Sequence, residues 1–283
     1  MATENAPEGK QSWYAMFPQL GAPLGLFMSS GLFWIILHLM PKETLLTWGW
    51  RLPFLFSILL IAIGLWVRLS ITETPAFQRA IEQAERVKVP AAELFRRHKQ
   101  SHLLGTFAAL ATFVLFYIGT AYLLSFEVKV VHISLKDALA VQIWSAVVFG
   151  LFIPLSGKIA DRFGPRQILI GTTVLIAAFS FLVPVLMTAD LTSIVIFATL
   201  AMALMGLTYG LIGAALAAPF PTAVRYTGAS LTFNFAGIFG ASLAPYIATY
   251  LQHNYGLGYV GYYMFAAAVV TLLCILATTK DKV

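Results

Sequence analysis

Eight apolar runs, each long enough to cross a lipid bilayer, divide this chain and leave it few possible architectures. They fall at about 13–39, 48–71, 102–126, 138–160, 167–188, 191–218, 228–251 and 258–279. A hydrocarbon core of about 30 Å needs roughly 20 helical residues to span it. Within that core, backbone groups must find their partners inside the helix or in a closed barrel. The alternating segments of about ten residues that build a barrel are not seen. Only 11% of the 283 residues are charged, against about 25% in soluble domains, and mean hydropathy is +0.83. The expected fold is an all-α polytopic membrane protein.

The net charge of +6 reflects topology rather than a nucleic-acid patch. Lys10, Arg68, Arg79, Arg86, Lys88, Arg96, Arg97, Lys99, Lys158, Arg162, Arg166, Arg225, Lys280 and Lys282 fall on one side of the eight spans. Lys42, Arg51, Lys129 and Lys136 fall on the other. Basic residues concentrate on the cytoplasmic side, so both termini are expected there. The start "MATENAPEGKQS" lacks the basic and apolar regions of a cleavable signal peptide. The longest polar stretch, 72–101, reads as a cytoplasmic linker. Thr74 is an N-cap candidate, Pro75 stands at the first helical position, and Glu82 and Arg86 share a helix face.

Between the fourth and fifth spans stands "GKIADRFGPR", Gly157 to Arg166, with four charges and two glycines in ten residues. Glycines let helices approach closely and turn quickly. A carboxylate there can face the positive end of a neighbouring helix, with arginines as partners. The blander alternative is a turn whose charges only mark the cytoplasmic side.

The segment resembles the loop signature of the major facilitator superfamily, roughly Gly-x-Leu-Ala-Asp-Arg-x-Gly-Arg-Arg/Lys. Gly157, Ala160, Asp161, Arg162, Gly164 and Arg166 match, and Pro165 departs from the usual basic residue. "FPQLGAPLG", "GWRLPF", "ITETPAF", "PTAVRYTG" and "LAPYIAT" are similar to the metabolite:proton symporters within it, along essentially the entire chain. The resemblance implies a transporter of an organic acid, a shikimate-like compound, proline or a betaine, working by alternating access in a bacterial inner membrane. Its partners would be that small molecule, a proton and the lipid bilayer. Asp161, Arg162 and Arg166, with Gly157 and Gly164, would then close the cytoplasmic gate.

A full member has twelve spans in two six-span halves. This chain matches spans five to twelve, which implies that the first four, its intramolecular partner, lie outside it. The expected organisation is 1–71 as the last two spans of the N-terminal bundle, 72–101 as linker and 102–283 as the complete C-terminal bundle. An offset of 215 pairs Lys10 with Arg225, Ser12 with Thr227, Gln19 with Asn234 and Gly25 with Gly240, as parallel repeats would. That symmetry places Asp161 beside Ser12 and Trp13.

Substrate sites in this fold lie near mid-membrane. Gln19, Thr112, Tyr117, Tyr122, Gln142, Trp144, Tyr209 and Asn234 are candidates by depth and chemistry, each equally able to bond a neighbouring helix. The small-xxx-small pairs Gly206/Gly210 and Gly21/Gly25 read as packing faces. Glu127 and His38 are the possible proton-linked groups. Both stand near external span ends, where interfacial placement is expected, and the main coupling group would belong to the first four spans. No cofactor or metal is implied: the single Cys274 lies in an apolar run, and no His-Glu-x-x-His or aspartate cluster suggests an enzyme. The competing possibility is a truncated remnant that inserts but transports nothing.

Overall fold

The computed structural model describes residues 6, 7, 9–70 and 95–278. Thr74, Glu82 and Arg86 of the expected linker helix lie outside them. Eight long apolar helices run through the rest: α1 (Gln11–Leu39), α2 (Gly49–Val67), α3 (Lys99–Lys129), α4 (Leu135–Phe163), α5 (Pro165–Leu186), α6 (Leu191–Ala217), α7 (Val224–Tyr255) and α8 (Leu257–Ala277). They overlap all eight sequence runs, with α3, α4 and α7 extended at both ends.

Local chemistry explains where the helices begin. Ser134 caps α4, its Oγ accepting from the Asp137 amide at 3.2 Å and donating to Asp137 Oδ2 at 2.6 Å. Asp190 caps α6, accepting from the Ser193 amide at 2.9 Å. Hydrogen bonds from the Ser193 amide and then its hydroxyl hold the Asp190 carboxyl below its usual range. Gly164 and Gly256 are single-residue joints at φ +89° and +92°, a region costly for other residues. Pro165 opens α5, where its fixed φ suits the first helical turn. The departure from the family's basic residue is therefore a helix-start residue.

The centre of the molecule is the α4–α6 pair, with α1 along α4 and with α3, α5, α7 and α8 around them. Phe149 and Ile153 of α4, Phe197 and Met205 of α6, Leu115 and Ile118 of α3, and Met264 of α8 are buried together. Helices gain little hydrophobic drive from one another in lipid, so close contact decides their packing. Gly206 and Gly210 provide it. A Cβ on Gly206 would lie 2.6 Å from Phe152 Cβ and 2.8 Å from the Phe149 carbonyl, and one on Gly210 would collide with Ser156 Oγ.

The other small-residue pair behaves differently. Gly21 and Gly25 face open space among the described residues, so the expectation of a packing face there is corrected. Gly240, the repeat mate of Gly25, is occupied: a Cβ would lie 2.7 Å from Phe113 Cβ and 3.0 Å from the Leu110 carbonyl of α3. Helix α2 touches α1 and the short helix Lys42–Thr47. Phe54, Ile58, Ile61 and Trp66 stay exposed along it.

Candidate functional site

The motif residues lie at one end of the bundle, called here the basic face after Lys158, Arg162, Arg166 and Arg225. Asp161 Oδ1 accepts from the Ser12 amide at 2.8 Å, and Oδ2 accepts from the Trp13 amide at 3.2 Å. This is the juxtaposition the repeat offset anticipated. Its physics is a carboxylate at the positive, amide-rich start of α1. Gly157, one turn earlier on α4, lets α1 in: a Cβ there would stand 3.2 Å from Met16 Cγ, the Ser12 carbonyl and Trp13 Cα.

Arg166 grips the opposite kind of helix end. Its Nη2 donates to the carbonyls of Ile275 at 3.2 Å and Leu276 at 3.1 Å, in the electronegative last turn of α8. Arg162 reaches neither helix; its guanidinium lies 5.2 Å from the centre of the adjacent Phe163 ring. The motif thus ties α4 to α1 through Asp161, and α5 to α8 through Arg166.

The cavity candidates divide. Tyr117 of α3, Tyr209 of α6 and Phe233 of α7 pack against one buried cluster that includes Phe113 and Ile212. Gln19 of α1 places its amide against Gly213, one turn beyond Tyr209. Gln19, Tyr117 and Tyr209 therefore gather along one stretch of α6. Asn234, on α7, is exposed and donates only to Ser230 of its own helix, at 2.8 Å.

The remaining candidates are turned to other uses. Gln142 is buried and donates to the Thr120 carbonyl at 3.1 Å, inside a π turn at Ile118–Tyr122. Such a turn frees backbone groups that a side chain can satisfy. Thr112 and Tyr122 are each 2% exposed, within the helix packing. Trp144 is exposed and donates to Thr199 Oγ1 at 2.9 Å.

Glu127, near the end of α3, is turned into the protein. It is 0% exposed, and among the described residues neither carboxyl oxygen has a hydrogen-bond partner. The chain reverses just beyond it: the amides of Val130 and Val131 donate to the Phe126 carbonyl, that of Ile133 donates to the Glu127 carbonyl, and His132 turns at φ +63°. His38 is exposed, its ring 4.1 Å from that of Trp34 and its Nδ1 2.8 Å from the Trp34 carbonyl.

Two polar groups escaped the sequence reading. His102 is 3% exposed and its Nδ1 lies 2.9 Å from Thr232 Oγ1. Thr271 of α8 bridges backbone groups of α3. His102 stands at the very edge of an apolar run, which reads as a flank, and a lone Thr in such a run gives no signal.

Comparison with known proteins agrees with this geometry. The family model described as Major Facilitator Superfamily matches residues 10–229. The inner membrane metabolite transport protein YhjE of Escherichia coli (strain K12) is 43% identical over 288 residues, covering 100% of this chain and 66% of that protein. A putative metabolite transport protein of Haemophilus influenzae is 38% identical, over 100% of this chain and 67% of its own length. The shikimate transporter of E. coli K12 is 28% identical, over 96% of this chain and 64% of that protein. The chain thus spans about two-thirds of the length of the curated relatives it matches. With eight apolar helices, a motif turn matching that family's loop and a family match over most of its length, this chain belongs to the Major Facilitator Superfamily.

Proposed function

We propose that the chain is part of a secondary transporter that moves a small organic metabolite, by alternating access, in symport with a proton. The substrate class would be an organic acid, a shikimate-like compound, proline or a betaine. The observation that carries this reading is the Asp161 carboxylate on the Ser12 and Trp13 amides. It joins two helices that the repeat reading assigns to different halves, at the point where those halves must part for release. The basic face is then the cytoplasmic face, both termini lie there, and the membrane is the bacterial inner membrane. Gln19, Tyr117 and Tyr209 form one wall of the substrate path, with Asn234 beside it. Further helices of the whole transporter would cover the outer flank of α2.

We place a coupling proton on Glu127 rather than His38. Among the described residues Glu127 is the one buried carboxylic side chain, and intramembrane carboxyls commonly serve proton relays. Glu127→Gln is expected to abolish accumulation driven by an imposed proton gradient while leaving downhill exchange of substrate intact. Unchanged accumulation would move the coupling group out of this chain, to the four spans expected before it.

A second reading, a remnant that inserts without transporting, is favoured by the exposure of α2. Measurement of uptake by the 283-residue chain separates the two.

A further inference from the structure

Helix α3 is interrupted near the basic face. A first segment, Lys99–Ala108, ends at Ala109, and Leu110–Tyr117 continues beyond it. Thr271 of α8, 2% exposed, stands at the interruption. Its hydroxyl donates to the Phe107 carbonyl at 2.9 Å and accepts from the Ala111 amide at 2.9 Å. Those two groups are four residues apart, the pair that closes one rung of a regular helix. A side chain entering the ladder is a recognised cause of bending. A hydroxyl, being donor and acceptor at once, keeps both groups satisfied while the rung widens. Across the helix, Gly240 adds no side chain against the Leu110 carbonyl.

A polar contact to α7 holds the first segment. His102 Nδ1 meets Thr232 Oγ1 at 2.9 Å, with the rings of Phe95 and Phe235 edge-on to the imidazole at 5.3 and 5.1 Å. Its next face borders a cavity. A cavity of about 180 Å³ separates Ser101, Leu104 and Ala108 from Leu169, Leu216 and Ile275, on α5, α6 and α8. A latch and room to move therefore belong to these ten residues, and a hinge stands at their end.

We propose that Lys99–Ala108 is a movable arm, hinged at Ala109–Ala111 on the Thr271 hydroxyl, which leaves its Thr232 latch and swings into the cavity. The swing opens the basic-face end of the α3–α7 contact. Its gating role rests on the transport reading above; the hinge itself does not.

The test is a distance measurement on the full 283-residue chain in lipid. Cys274→Ser removes the single cysteine, and spin labels are placed at positions 101 and 278, on facing walls of the cavity. Two distance populations are expected, the longer one matching the latched arm. Thr232→Val, which deletes the hydroxyl at nearly constant shape, should shift the distribution to the shorter population, and Thr232→Ser should restore it. One narrow distance in the Cys274→Ser background overturns the hinge, whether or not the latch variant folds. A distribution unmoved by Thr232→Val in monodisperse protein overturns the latch. Loss of uptake with two distances present would remove the transport reading and leave the arm standing.

Discussion

Replacing Asp161 with Ala is expected to open the basic face between α1 and α4 and to lower uptake at least about tenfold. The carboxylate accepts from two amides, at 2.8 and 3.2 Å. Hydrogen bonds to a charged group contribute about 1.5–3 kcal/mol each, and the partly exposed setting screens them. Taking about 2 kcal/mol for the pair, the ratio of closed to open molecules falls about thirtyfold. That is ample to reverse a gate poised within a few kcal/mol of balance. Asp161→Asn keeps one good acceptor but loses the charge, so an intermediate effect is expected. Spin labels at the exposed positions 10 and 158 report the opening directly, as a longer distance in Asp161→Ala than in the parent. An unchanged distance would reduce the motif to a turn marked by charge.

The second large effect is expected at Gly206. The added Cβ of Gly206→Ala would meet another Cβ at 2.6 Å and a backbone carbonyl at 2.8 Å. Neither is the far end of a flexible side chain, so one helix must move. Overpacking of this kind costs about 1–3 kcal/mol, and Gly206→Leu should cost more. Gly171→Ala is the control, since a Cβ on Gly171 meets nothing within 4 Å. There, alanine's better helix propensity should leave stability unchanged or raise it by up to about 1 kcal/mol. Thermal unfolding in detergent would show Gly206→Ala falling well below Gly171→Ala. Equal midpoints would mean that the α4–α6 contact is loose.

Much of the architecture was legible because lipid leaves the chain so few options. The eight spans follow from length and hydropathy alone, and the repeat offset of 215 located Asp161 beside Ser12 and Trp13. Side-chain facing was harder to read. Gly21/Gly25 and Gly206/Gly210 show one pattern in sequence, yet among the described residues only the second has a helix against it. A spacing rule states what a face permits, and the neighbour decides whether it is used.

In α3 the π turn at Ile118–Tyr122 inserts a residue into the helical repeat. Everything beyond it is rotated by about 100° from the face that a regular 3.6-residue period assigns. Tyr122 and Glu127 follow that turn, and both proved buried. The chain reversal just beyond Glu127 includes a positive φ at His132, for which the sequence carries no glycine signal. The hydrogen-bond partners of His102 and Thr271 lie more than a hundred residues away, and no local pattern can supply them.

The central claim is that this chain is part of a transporter that moves a metabolite on a proton gradient. Its most direct test is uptake by the whole transporter, these 283 residues together with the further spans expected to pack against them, in lipid vesicles, acidic outside. Labelled shikimate, proline, a betaine and simple organic acids are offered in turn. The account predicts accumulation of at least one of them above the external concentration, abolished by a protonophore. Vesicles holding folded, monodisperse whole protein that accumulate none of these compounds would contradict it.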